Sequence, residues 1–111
     1  MEPRQKFWLE RSDGRVVMSD YRLRLLEFVA ETGSLAQAAA RLELSYRRAW
    51  GKVRELEENL GYRVVDSVVG GPGGGHTRLT PEGEALVAAY RRFQERARAA
   101  VDGIFAEEFG A

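Results

Sequence analysis

Between positions 34 and 54 lie five basic residues, Arg41, Arg47, Arg48, Lys52 and Arg54, and a single acid, Glu43. An excess of this kind suits an anion: ammonium and guanidinium groups hold phosphate, and one guanidinium can grip both acceptors of a guanine edge. The chain as a whole carries 17 Lys+Arg and 17 Asp+Glu in 111 residues, a formal net charge of zero. Affinity for a polyanion must then come from this patch and not from a uniform field. The compensating acids sit further along, at Glu55, Glu57 and Glu58 and then at Glu82, Glu84, Asp102, Glu107 and Glu108. Next to arginines at a helix end, Glu55, Glu57 and Glu58 are explained by ion pairing.

Other chemistries find less support. With no cysteine and one histidine, His76, the chain has no disulfide, no thiolate ligand and no defensible Ser/His/Asp set or zinc spacing. Neither catalytic nor metal-binding residues are expected, and no cofactor. Gly70–Gly75 holds five glycines and a proline, but no Lys-Ser or Lys-Thr follows it and no GxGxxG opens a helix, so it suits a hairpin tip better than a nucleotide cradle. No apolar run approaches the ~18 residues that span a bilayer, and MEPRQKFWLERSDG is too charged for a secretory signal. A cytoplasmic protein without a membrane partner is expected. At this length, with 44% hydrophobic residues, residues 1–111 form one domain.

The elements that must position the patch are legible in order. Residues 6–18 read as a β-hairpin around Asp13-Gly14. A three-helix core spans 20–61. Its first helix runs from Asp20 to Glu31 and stops at Thr32-Gly33; the second runs from Leu35 to Leu42 behind a Ser34/Gln37 capping box; the third is capped by Ser45 and closed by Gly61. Residues 62–80 form a second hairpin, with Tyr62–Asp66 and Arg78–Thr80 extended. Thr80-Pro81-Glu82 starts a last helix running to about Phe105 in a C-terminal segment 81–109. Mainly α with a small β-hairpin wing, this is the layout of a winged helix-turn-helix with a long C-terminal dimerisation helix.

In the third helix Tyr46, Ala49, Val53, Leu56 and Leu60 recur at steps of three and four, and taking Val53 as inward leaves Arg47, Arg48, Gly51, Lys52 and Arg54 outward or at the border. Trp50 flanks the core face. Arg47 and Arg48 are the base-reading candidates, while Lys52 and Arg54 suit phosphate. Gly51 costs about 1 kcal/mol against alanine in a helix, a cost that close approach of another surface would explain. Ser34 and Ser45 stand at helix starts that suit phosphate, with Gln37 and Tyr46 beside them. His76, Thr77 and Arg78, beyond the glycine loop, are placed for DNA backbone or minor groove. In the last helix Leu86, Tyr90, Phe93, Ala97, Ala100 and Ile104 follow a heptad seam, which predicts a homodimer contact through Leu86, Tyr90, Phe93, Ala97 and Ile104.

The stretch LLEFVAETGSLAQAAARLELSYRRAWGKVRELEENLG, followed by GGPGGGHTRLTPEGEAL, resembles the N-terminal DNA-binding domain of ModE-type molybdate-responsive regulators. GSLAQAA, LEENLG and LTPEG also suit the wider LysR-type regulators, whereas SYRRAW with the glycine wing is similar to the ModE group. The resemblance covers about Phe7 to Arg92. It implies a homodimeric transcriptional regulator with Ser34–Ala39 in the first motif helix, Ser45–Trp50 opening the recognition helix and Gly70–Arg78 in the wing. Full-length members continue into molbindin-like domains that bind molybdate or tungstate, and molybdate binding by residues 1–111 is not expected.

Two readings remain open beside a sequence-specific regulator on a palindromic, double-stranded operator. One is a winged-helix protein-interaction module that does not read DNA, which the neutral charge and acidic end AEEFGA favour. The other is a small ligand-binding or enzymatic domain built on the glycine loop.

Overall fold

A computed structural model describes residues 1–68 and 76–110. The wing tip expected at Gly70–Gly75 lies outside the described residues. The element order is β1 (Trp8–Glu10), β2 (Val16–Ser19), α1 (Asp20–Thr32), α2 (Leu35–Arg41), α3 (Tyr46–Leu60), β3 (Val65–Val68), β4 (His76–Leu79) and α4 (Pro81–Phe109). Strands β1 and β2 form one antiparallel hairpin and β3 and β4 another. The architecture is that of a winged helix-turn-helix.

Each helix starts where a short oxygen-bearing side chain can take up an orphan first-turn amide. Ser19, Ser34, Ser45 and Thr80 accept from the amides of Arg22, Gln37, Arg48 and Gly83. The Ser34 cap differs from the expected box, because the hydroxyl of Thr32, not the Gln37 side chain, accepts the Ser34 amide at 3.2 Å. Helices α1 and α3 end on the left-handed residues Gly33 and Gly61, as their sequence predicts. Between α2 and α3 the chain turns with Glu43 at φ 56°, and the Leu44 amide reaches back 2.9 Å to the Ala39 carbonyl.

The three core helices and the wing close on one hydrophobic cluster that includes Met18, Leu26, Val29, Leu35, Ala49, Val53, Leu56, Val64 and Val65. Extended pairing begins three residues later than the β-branched run suggests: Val65 faces Leu79, Asp66 faces Arg78 and Ser67 faces Thr77. The shift has a local cause. The Glu57 carboxylate accepts from the amides of Val64 (2.7 Å) and Val65 (3.2 Å), capping the entry to β3 instead of pairing with a cation as its neighbours suggest. At the other end of the wing Thr80 leaves the strand to cap α4, and its hydroxyl donates to the Arg63 carbonyl at 2.8 Å.

Helix α4 continues four residues beyond Phe105 and ends at Gly110. At 1.5 Å per residue its 29 residues span about 43 Å, well beyond what α1 and β4 can cover. Of the expected seam, Tyr90 belongs to the core of its own chain: it is 2% exposed and its hydroxyl donates to the Phe7 carbonyl at 3.0 Å. This corrects its assignment to a dimer contact, because the N-terminal segment already covers it. Leu86 is partly buried against the same core. Phe93 and Ile104 stay 42% and 58% exposed.

Candidate functional site

Helix α3 separates its two faces cleanly. Ala49, Val53 and Leu56 are buried in the core, while Arg47, Arg48, Gly51 and Arg54 stand exposed on the opposite side. Among the described residues no carboxylate lies within 4.0 Å of Arg47, Arg48, Lys52 or Arg54, so these four charges are not internally neutralised. Arg41 is different: it pairs with Glu31 at 2.9 Å and rests 5.2 Å over the Phe28 ring. The positive patch therefore centres on α3 rather than on the end of α2.

Lys52 sits at the border of the outward face. Its ammonium lies 5.2 Å from the centroid of the Tyr21 ring, a cation–π contact that draws it to the flank beside α1. On the other flank Trp50 is half-buried against the core and holds the exposed Tyr46 edge to face, with ring centroids 6.3 Å apart at 89°. Gly51 lies between these flanks. A Cβ there would meet nothing within 4 Å, so the fold itself does not require glycine at this position.

Ser34 and Ser45 spend their hydroxyl oxygens on capping, at 3.1 and 3.2 Å, and so fix the first turns of α2 and α3. Gln37 is exposed one turn into α2. In the wing, β4 alternates: His76 and Arg78 point to solvent and Thr77 is only 8% exposed. The Thr77 amide donates to the Gly33 carbonyl at 2.8 Å, fastening the wing to the turn before α2. Thr77 therefore positions the wing from inside, which corrects its expected place on an external contact surface.

Arg22 and Asn59 were not legible as functional positions. The Arg22 side chain, 11% exposed, donates to the Val16 carbonyl at 2.6 Å and pairs with Glu55 at 3.2 Å. Asn59 donates to the same Val16 carbonyl at 2.8 Å. Together they bolt the N-terminal hairpin to the C-terminal half of α3. No local pattern links positions 16, 22, 55 and 59; only the Arg-Glu complementarity hints at it.

Elsewhere the groups that carry reactive chemistry are dispersed. Among the described residues no cluster of three or more His, Cys, Asp or Glu is placed to hold a metal ion. The Tyr90 hydroxyl is raised above its ordinary value of 10.0 by burial and by Asp20, against the opposing charge of Arg98. It is a core group, remote in role from the α3 face. No described helix is long and apolar enough to cross a membrane.

Comparison with known proteins agrees with this geometry. The profile of the bacterial regulatory helix-turn-helix proteins of the lysR family matches residues 21–84. The molybdenum-pterin-binding protein MopB of Rhodobacter capsulatus is 43% identical over 82 residues, which is 74% of this chain and 30% of that protein. The molybdenum transport protein ModE of Azotobacter vinelandii is 36% identical over 91 residues, 82% of this chain and 34% of its own length. The DNA-binding transcriptional dual regulator ModE of Escherichia coli K12 is 35% identical over 69 residues, 62% of this chain and 26% of that protein. The chain thus spans about a third of the length of the curated relatives it matches. Among solved structures, a CbnR DBD–DNA complex superposes with a TM-score of 0.57 at 29% identity, over 80% of this chain and 98% of that one. A BenM DBD/benA site 1 DNA complex shares the fold, with a TM-score of 0.56 at 22% identity over 83% and 99%.

Proposed function

From the premise that the chain belongs to the lysR family of bacterial regulatory helix-turn-helix proteins, we propose that it regulates transcription by laying α3 in the major groove of double-stranded DNA. The family is one of regulators and not of enzymes. The observation that carries the reading is the row of exposed, uncompensated cations on the outward face of α3, on either side of a glycine that the fold does not need.

In this reading Arg47 and Arg48 reach base edges, and Lys52 and Arg54 hold the phosphates that border the groove. Ser34, Gln37, Ser45 and Tyr46 line the approach of the two motif helices, with His76 and Arg78 of the wing on the adjoining backbone. Thr77 serves by anchoring the wing. Two copies join through the outer side of α4, where Phe93 keeps an exposed edge beside Phe7, Ala97 is half-buried and Ile104 is exposed, and the pair reads a palindromic operator. Molybdate sensing is not assigned to residues 1–111: the names that mention molybdenum belong to proteins about three times as long.

The direct test is binding of fluorescent duplex DNA by the wild type and by Arg48→Ala. The reading requires tight binding by the wild type and a loss of about 1–3 kcal/mol on the preferred duplex in the variant. A folded Arg48→Ala protein that binds as the wild type does would defeat it.

A further inference from the structure

The charges of α1 are not balanced in the same way as those of the rest of the chain. Each carboxylate on this helix is already engaged: Asp20 accepts from Gln94, Glu27 pairs with Arg91, and Glu31 pairs with Arg41. Arg22 is matched by Glu55. Arg24 alone stands exposed, with no carboxylate within 4.0 Å and no hydrogen-bond partner among the described residues.

Its place on the helix is defined by its neighbours. Positions 21, 24 and 28 fall within about 60° of one another on a helical wheel, so Tyr21, Arg24 and Phe28 share one stripe. Tyr21 carries Lys52 of α3 over its ring and Phe28 carries Arg41 of α2, each at 5.2 Å. Arg24 therefore lies between these two rings along the helix axis, at the solvent edge of the stripe whose Tyr21 end carries Lys52 of α3. The wing is attached on the opposite flank, where Glu57, two turns beyond Trp50, caps the entry to β3.

We propose that Arg24 and Lys52 form a second phosphate-binding stripe, gripping the DNA backbone on the side of the major groove away from the wing. The inference rests on α3 entering DNA, and extends that reading from the recognition helix to α1. A duplex carries a phosphate strand on each wall of the groove, and a domain that holds only one wall leaves its recognition helix free to tilt. With the wing on one wall and the α1 stripe on the other, α3 is fixed between them. The ligand is the phosphodiester itself, so the contact is blind to sequence and is felt through counterion release.

The test is the salt dependence of binding to two duplexes, a preferred sequence and a random one, for wild type, Arg24→Gln, Arg24→Lys and Arg24→Gln/Lys52→Gln. Because Arg24 is exposed, melting temperatures of the variants should match the wild type. The slope of log affinity against log salt should fall by about 1 for Arg24→Gln and by about 2 for the double variant, equally on both duplexes. Arg24→Lys should restore the wild-type slope. An Arg15→Gln control, at the tip of the N-terminal hairpin where Asp13 already faces Arg15 at 3.7 Å, should leave it unchanged. An Arg24→Gln slope equal to the wild type overturns the stripe, as does a loss confined to the preferred duplex. If in that case Arg48→Ala still loses affinity, the recognition-helix reading stands without the stripe; a wild type that binds neither duplex ends both.

Discussion

A Cβ on Gly83 would lie 2.3 Å from the carbonyl oxygen of Val64. The first turn of α4 thus presses its backbone directly onto the start of the wing, and Thr80 completes the joint by taking the Gly83 amide at 2.9 Å. The glycine of the LTPEG segment is therefore demanded by packing. Gly83→Ala should destabilise the domain by about 1–3 kcal/mol, since backbone on both sides must yield. Urea denaturation of the variant checks this, and unchanged stability would show that the joint is slack.

Gly51 is the opposite case, with open space where its Cβ would be. Replacing it with alanine should raise stability by about 0.5–1 kcal/mol through helix propensity. The same methyl would stand between α3 and the groove, so DNA affinity should fall by about tenfold. Thermal melts and binding assays on one preparation separate the two effects. A variant that is more stable and binds equally well would remove the case for close approach at this position.

The contrast between these glycines shows how far sequence alone carries. Local chemistry was readable: the N-caps Ser34, Ser45 and Thr80, the left-handed ends at Gly33 and Gly61, and the outward face of α3 all follow from side-chain type and helical spacing. What failed to show was long-range. Tyr90 fits a heptad seam perfectly well by spacing, yet the N-terminal segment 83 residues away accepts its hydroxyl hydrogen and covers it. Thr77 looks like an exposed wing residue until strand alternation turns it inward. Arg24 resembles any solvated helix charge, because only the tertiary packing of Tyr21 under Lys52 and Phe28 under Arg41 reveals what lies on either side.

The buried tyrosine makes stability depend on pH at the alkaline end. Its hydroxyl ionises above the ordinary 10.0 in the folded chain, first through burial, so the unfolded state releases the proton sooner. The associated stability is complete below pH 10 and is lost as pH rises through the folded value. Tyr90→Phe should lose about 1 kcal/mol at neutral pH with the hydrogen bond to Phe7, and should lose less than the wild type between pH 8 and 11. Parallel alkaline limbs would place the titration elsewhere.

The exposed part of α4 predicts an assembly. Ile104→Glu alters a side chain that is 58% exposed in the single chain, so melting of a monomer should scarcely change, whereas Phe93→Glu also breaks the edge-to-face contact of Phe93 with Phe7, 5.5 Å between ring centroids, and should lower it. Sedimentation should show a wild-type dimer and a variant monomer at the same concentration, with operator affinity reduced by about tenfold or more. A wild type that sediments as a monomer at tens of micromolar would remove α4 as the interface.

The central claim is sequence-selective recognition through α3, and the most direct measurement recovers bound fragments of the source genome and sequences them. Wild type and an Arg47→Ala/Arg48→Ala variant would be compared at about physiological salt. The account predicts that wild type enriches a recurrent inverted repeat, its half-sites one helical turn or a multiple apart, and that the variant recovers DNA without that repeat. Sequence-blind recovery by the wild type, abolished by modest salt, would contradict it and leave the α3 face a general polyanion patch.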